Sequence, residues 1–131
     1  MKLNQLRDNV HENAVKHGWW DKEKSFGDFI ALCHSKLSEA LEEYRNLQYD
    51  TYWKCPKCKS HIYQDQLYLL KHHLVCCKEP MKPEGIPIEL ADTIIRILDF
   101  CGEEGIDIEK AIDIKHKYNE TRPYRHGGKN I

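Results

Sequence analysis

The chain has 131 residues, 31% of them charged and 40% hydrophobic, with a formal net charge of -1. That length suits one domain with a single core. The balance excludes a disordered chain, and the near-zero charge excludes a global basic field that would recruit nucleic acid or a membrane surface. No apolar run approaches the roughly 20 residues needed to span a bilayer. The opening Met1-Lys2-Leu3-Asn4-Gln5 lacks the apolar core of a secretion signal, so a cytoplasmic location is expected.

In chain order, Leu3, Leu6, Val10 and Ala14 recur at helical spacing, and Gly18 suits a stop. Ser25-Phe26-Gly27-Asp28 has the form of a capping box. The second helix then carries Phe29, Ile30, Cys33, Leu37, Leu41 and Tyr44 on one side, and Ser35, Glu39, Glu42 and Glu43 on the other. The pattern breaks after Asn46. Residues 51–82 read as an insert, with Pro80, Pro83, Gly85 and Pro87 marking its exit. A third helix is expected from near Ile88. It has a broad apolar face (Leu90, Ala91, Ile94, Ile95, Ile97, Leu98, Cys101), a narrow polar stripe (Glu89, Asp92, Arg96, Asp99), and Gly102 and Gly105 at its end. Asp107 caps a fourth helix with Ile108, Ala111, Ile112 and Tyr118, whose outer edge bears Lys115 and Asn119. The tail from Arg122 to Lys129 is basic and contains glycine, which predicts a mobile terminus. No strand is expected outside the insert.

The insert gathers four of the six cysteines into residues 55–77. In a reducing compartment such clustering points to metal ligation, not to disulfides; Cys33 and Cys101 sit singly in apolar patterns and read as core thiols. Cys55-Pro56-Lys57-Cys58 followed by His72, His73, Cys76 and Cys77 supplies what one tetrahedral Zn2+ requires. The register Cys55, Cys58, His72, Cys76 is preferred, because it places Tyr63 and Leu69 at the aromatic and leucine core positions of a finger; His73 and Cys77 are the reserves. Four protein ligands would make the zinc structural. The predicted finger helix, residues 65–71, is largely apolar and offers few base-edge or phosphate contacts, which argues against nucleic acid as a partner.

Two carboxylates at i and i+3 share a helix face. Glu39 and Glu42 do so on the second helix, and Glu89 and Asp92 on the third. Antiparallel packing would unite the pairs. An all-carboxylate cluster suits a hard, oxygen-seeking ion, Mg2+ or Mn2+. Taken singly, either pair reads as an ordinary solvated helix face. Trp19 or Trp20 offers a flat indole that can stack on a base, although a tryptophan is more often core. Lys115, Asn119, Arg122 and Arg125 can contact phosphates, although a basic tail is more often just solvated.

The order Trp19-Trp20, acidic helix, Pro83-Glu84-Gly85-Ile86-Pro87-Ile88-Glu89-Leu90-Ala91-Asp92, and Lys115-x3-Asn119-x2-Arg122-x2-Arg125 resembles the MazG-like all-α nucleoside triphosphate pyrophosphohydrolases, over roughly residues 10–48 and 84–129. The resemblance implies a four-helix bundle, discontinuous over 1–50 and 83–131, with the zinc insert at 51–82 between the second and third helices. It also implies hydrolysis of a nucleoside or deoxynucleoside triphosphate to monophosphate and pyrophosphate, and a homodimer or homotetramer. Glu39, Glu89 and Asp92 would hold Mg2+, Glu42 would complete the catalytic acids, and Trp19, Trp20, Lys115, Asn119, Arg122 and Arg125 would bind substrate. Ile94, Ile95 and Leu98 are candidates for the subunit contact. One position departs from the family pattern: Lys36 stands where the first metal-binding Glu is expected. Three readings of Lys36 stay open: a tethered cation in a metal site, substitution by Glu42 or Glu43 from the next turn, or lost activity. The alternatives to an enzyme are therefore a catalytically impaired nucleotide- or protein-binding homologue and a zinc-finger nucleic-acid binder.

Overall fold

A computed structural model of the chain describes residues 2–63 and 75–130. Two compact units emerge, Met1–Glu23 with Ile97–Ile131, and Lys24–Arg96. The described residues are mostly helical, with a small sheet and a separate strand pair. The expectation of an all-α bundle is thus corrected to a helical protein with β structure. The predicted finger helix, together with His72 and His73, lies outside the described residues.

In the first unit, α1 (Leu3–Lys16) ends just before Gly18, whose φ of +80° closes the helix as its position predicts. Helix α4 (Ile108–Glu120) starts at the predicted cap, where the Asp107 carboxylate accepts from the Lys110 backbone N–H. Asn4 on α1 ties itself to the same turn. Its amide donates to Asp107 Oδ1 at 2.9 Å, and its carbonyl oxygen accepts from the Ile108 N–H at 3.1 Å. The basic tail closes with a short kinked turn, α5 (Arg125–Gly128), in which Arg125 and His126 have positive φ.

In the second unit, α2 (Phe26–Arg45) opens with the complete predicted capping box, Ser25 Oγ accepting from the Asp28 N–H and the Asp28 carboxylate accepting from the Ser25 N–H. Strands β1 (Tyr52–Lys54), β2 (His61–Tyr63) and β5 (Lys82–Glu84) form an antiparallel sheet in the order β2-β1-β5. Strands β3 (Val75–Cys76) and β4 (Glu79–Pro80) form a hairpin. Sequence reading took Lys82-Pro83-Glu84 as a proline-marked exit. It is a strand, and Pro83 is tolerated because β5 lies at the sheet edge.

Helix α3 (Ile86–Glu104) ends just before Gly105, at φ +66°, as expected, but differs from expectation at its start and at Gly102. It starts two residues early, after Gly85 at φ +107°, and it runs straight through Gly102. The reason for glycine at 102 is packing: a Cβ there would lie 2.5 Å from His11 Cβ, so only glycine admits α1 at this point. Cys33 and Cys101 are buried, as expected of core thiols. Leu98 is 2% exposed within the single chain, which removes it from the candidate subunit contact. By contrast Leu37, Leu41 and Tyr44 on α2, and Leu90, Ile94 and Ile95 on α3, which lie on the apolar stripes of their helices, are exposed.

Candidate metal centres and acidic cleft

The thiol cluster grows out of two tight turns. Cys55, which is fully buried, directly follows β1, and its N–H donates to Ser60 O while its carbonyl accepts from the Lys59 N–H. The segment from Cys55 to Ser60 therefore folds back to join β1 to β2. Lys59 has φ +65°, a left-handed conformation unusual for a side-chain-bearing residue. On the other hairpin Cys77 and Lys78 form the turn between β3 and β4, both at positive φ (52° and 62°), a geometry that normally selects Asn-Gly.

These turns bring the sulfurs of Cys55, Cys58, Cys76 and Cys77 within 4.8 Å of one another. Cys58 Sγ is 3.6 Å from Cys76 Sγ, and Cys76 Sγ is 3.9 Å from Cys77 Sγ. A tetrahedral Zn–S bond of ~2.3 Å implies S···S edges of about 3.8 Å, so the spacing fits a metal held by four thiolates. The Cys58 thiol is lowered to about 6, first by the hydrogen bond with Ser60, while the bond to Cys58 pushes Cys76 up. The cluster thus already favours a thiolate, the form that binds metal. Of the predicted zinc ligands, Cys55, Cys58 and Cys76 meet; Cys77, held in reserve, joins them.

The carboxylates of α2 and α3 also meet. Glu39 and Glu89 line the same cleft and are close enough to perturb each other's ionisation. Glu89 is 7% exposed, and burial, followed by the neighbouring Glu39, pushes its carboxyl up to about 7. The Lys36 hydrogen bond holds Glu39 below its ordinary value, so the two neighbouring carboxyls are shifted in opposite directions. Lys36 Nζ lies 2.7 Å from Glu39 Oε2 and 3.0 Å from Asp92 Oδ2. Burial opposes its charge, yet the two carboxylates outweigh burial and raise its pKa. A cation therefore stands between Glu39 and Asp92.

Beside this pair lies a cleft of about 180 Å3 lined by Glu39, Glu42, Glu43, Lys82, Glu84 and Glu89. Ligand oxygens of Glu43, Glu84 and Glu89 lie within 4.8 Å of one another. The all-oxygen donor set fits a hard divalent ion. Tyr52, 6% exposed, donates its O–H to both Glu43 oxygens at 3.2 Å, and burial, then the Glu43 charge, raises its phenol well above the ordinary value. Glu42 lines the cleft and pairs with Arg45 at 3.5 Å. Sequence reading missed Glu84, Tyr52 and Lys82. The only available signal was the alternation around Pro83, which an exit linker explains equally well.

The remaining predicted residues belong to the first unit. Trp20 donates its indole N–H to Asp99 Oδ1 at 2.8 Å, the same oxygen that His11 Nδ1 meets at 2.8 Å, and Glu103 Oε2 lies 3.1 Å from His11 Nε2. Trp20 is thus built into a structural network, whereas Trp19 is 58% exposed. Lys115 and Asn119 line a shallow groove of about 390 Å3 on α4 with Ala111, Ile112 and His116. Lys115 and Arg122 both lie over the Tyr118 ring, and Arg125 lies over Tyr124.

No helix is long and apolar enough to cross a membrane among the described residues. Compared with known proteins, the chain matches no family model, no curated protein and no solved structure.

Proposed function

We propose that the protein is a divalent-cation-dependent hydrolase that splits a nucleoside or deoxynucleoside triphosphate into monophosphate and pyrophosphate. The observation that carries the reading is the meeting of Glu39 and Glu43 from α2 with Glu89 from α3 at one cleft. That arrangement supports the resemblance to MazG-like pyrophosphohydrolases and explains how the chain tolerates Lys36. Glu43, with Glu84 beside it, supplies oxygens to a neighbouring donor set that does not need the family's first glutamate.

In this reading Glu43, Glu84 and Glu89 would hold the ion. Mg2+ or Mn2+ there would neutralise phosphate oxygens and acidify a bound water. The Tyr52 hydroxyl orients Glu43. Glu39 lines the same cleft as Glu89 and is half-exposed, so it is the carboxylate placed to take a proton from water. Lys82 is a point charge at the cleft wall, suited to a phosphate oxygen. Trp19, Lys115, Asn119, Arg122 and Arg125 are assigned to the base and phosphates by the resemblance alone. The thiol cluster is a closed structural Zn2+ site. The exposed apolar faces of α2 and α3 support assembly into a homodimer or homotetramer.

A second reading has its own observation. Lys36 neutralises Glu39 and Asp92, two of the three acids expected to bind Mg2+, which favours a catalytically impaired homologue that still binds a nucleotide or protein. Incubation of the zinc-loaded protein with Mg2+ and a panel of NTPs and dNTPs separates the two. Stoichiometric release of pyrophosphate and monophosphate is the expected result. Nucleotide binding without turnover would favour the impaired homologue.

A further inference from the structure

We infer that the four-cysteine centre is a metal-operated clamp on the acidic cleft: a soft divalent ion bound by Cys55, Cys58, Cys76 and Cys77 locks strands β1 and β5 together and thereby delivers Tyr52 and Glu84 to Glu43. The inference rests on the reading of the cleft as a cation site and adds its control.

The covalent path is short. Cys55 follows Lys54, the last residue of β1, and Tyr52 is the first. The second pair of thiols sits on the β3–β4 turn, and β4 passes through buried Met81 directly into β5. The register of the β1–β5 pair sets Tyr52 opposite Glu84, so both strands present their cleft residues at the same end. Joining the two sulfur pairs through one ion thus joins the two strands that carry the cleft residues.

Among the described residues, little apolar burial holds them. The strands are two or three residues long, and apart from Tyr52, Cys55 and Met81 no residue of the described part of residues 51–84 is buried. Sheets this short, with so small a core, do not persist alone in water. The left-handed conformations of Lys59, Cys77 and Lys78 are costs that a bound ion would offset. Ligation couples directly to folding in modules of this kind.

The loss of the clamp has a specific consequence at the cleft. Glu89 and Glu43 stay on their helices, but Glu43 loses the hydroxyl that orients it and the donor set falls from three carboxylates to two. Zinc availability would then gate binding of the harder ion.

The test compares the full-length protein loaded with Zn2+ and the same protein stripped by a chelator under reducing conditions. Amide hydrogen exchange is read at Tyr52–Lys54 and Lys82–Glu84, and Mn2+ binding is followed by its paramagnetic signal. Stripping is expected to abolish protection of both strands, to leave the centres of α2 and α3 protected, and to weaken Mn2+ binding by at least about tenfold. In the loaded protein Tyr52→Phe should weaken Mn2+ binding by about tenfold, the usual cost of losing an outer partner of a ligand, with zinc retained. Unchanged protection of β1 and β5 after stripping would overturn the clamp. If the loaded protein binds no Mn2+, the cation reading of the cleft fails, and the exchange data alone still decide whether the thiol centre holds Tyr52 and Glu84 in place.

Discussion

The ammonium of Lys36 on α2 reaches the Asp92 carboxylate on α3 at 3.0 Å, and so occupies the space between two helices where an acidic quartet would hold a metal. Its second partner, Glu39, lies at 2.7 Å on the next turn of its own helix. This bridge decides how the site can work. Under the proposed function, either the neighbouring set Glu43, Glu84 and Glu89 binds the ion and Lys36 stands in for a second one, or the site is catalytically impaired.

Lys36→Glu separates those possibilities. If Lys36 marks a damaged site, the change strengthens Mg2+ binding and raises pyrophosphate release. If Lys36 works as a tethered cation, release falls instead, by at least about tenfold, while Mg2+ binding at the other set persists. Steady-state assay alongside calorimetric Mg2+ titration distinguishes the two. The metal-free variant should lose on the order of 1 kcal/mol of stability, since three like charges replace two partly exposed ion pairs.

The Glu39–Glu89 pair gives a signed pH dependence. A carboxyl raised from 4.5 to about 7 stabilises the fold below 4.5 and loses that contribution as pH rises through about 7. Glu39 shifts the opposite way, but it is half-exposed and contributes little. The metal-free protein should therefore be less stable at about pH 8 than at about pH 5, by on the order of 2 kcal/mol, and Glu89→Gln should flatten the slope. Mg2+ should release the Glu89 proton and restore stability at the higher pH. Urea midpoints with and without Mg2+ test both points.

The thiol centre should hold one zinc per chain through Cys55, Cys58, Cys76 and Cys77. Cys77→Ser should weaken zinc binding markedly, and His72→Ala should leave it intact, because four sulfurs already complete a tetrahedron. Elemental analysis after dialysis measures this. Zinc retained in Cys77→Ser and lost in His72→Ala would instead restore the ligand set expected from finger-like spacing.

Asp99 is the hub of the first unit's polar network, receiving both the Trp20 indole and the His11 ring. Asp99→Leu should destabilise the protein by roughly 1–3 kcal/mol, because it leaves a part-buried N–H without an acceptor. Gly102→Ala should cost a similar amount, roughly 1–3 kcal/mol, through the clash with His11. Thermal unfolding followed by tryptophan fluorescence reads both. An unchanged midpoint for Asp99→Leu would mean that the indole finds water instead.

Local rules in the sequence determined the helices and their caps. Ser25 with Asp28, Asp107 before Ile108, and Gly18 after α1 act over three or four residues, so spacing and residue type suffice to predict them. The cysteine pattern likewise announced a cluster that could hold a metal, because ligand chemistry is written in residue identity. Only the tertiary structure decided which groups share a site. Glu84 joins Glu43 and Glu89 because β5 pairs with β1 across more than 25 intervening residues. Gly102 interrupts nothing because α1 packs against it. Trp20 is anchored at Asp99 from 79 residues away. These are choices of long-range packing, in which non-local contacts override local preference, and no window of neighbouring residues encodes them.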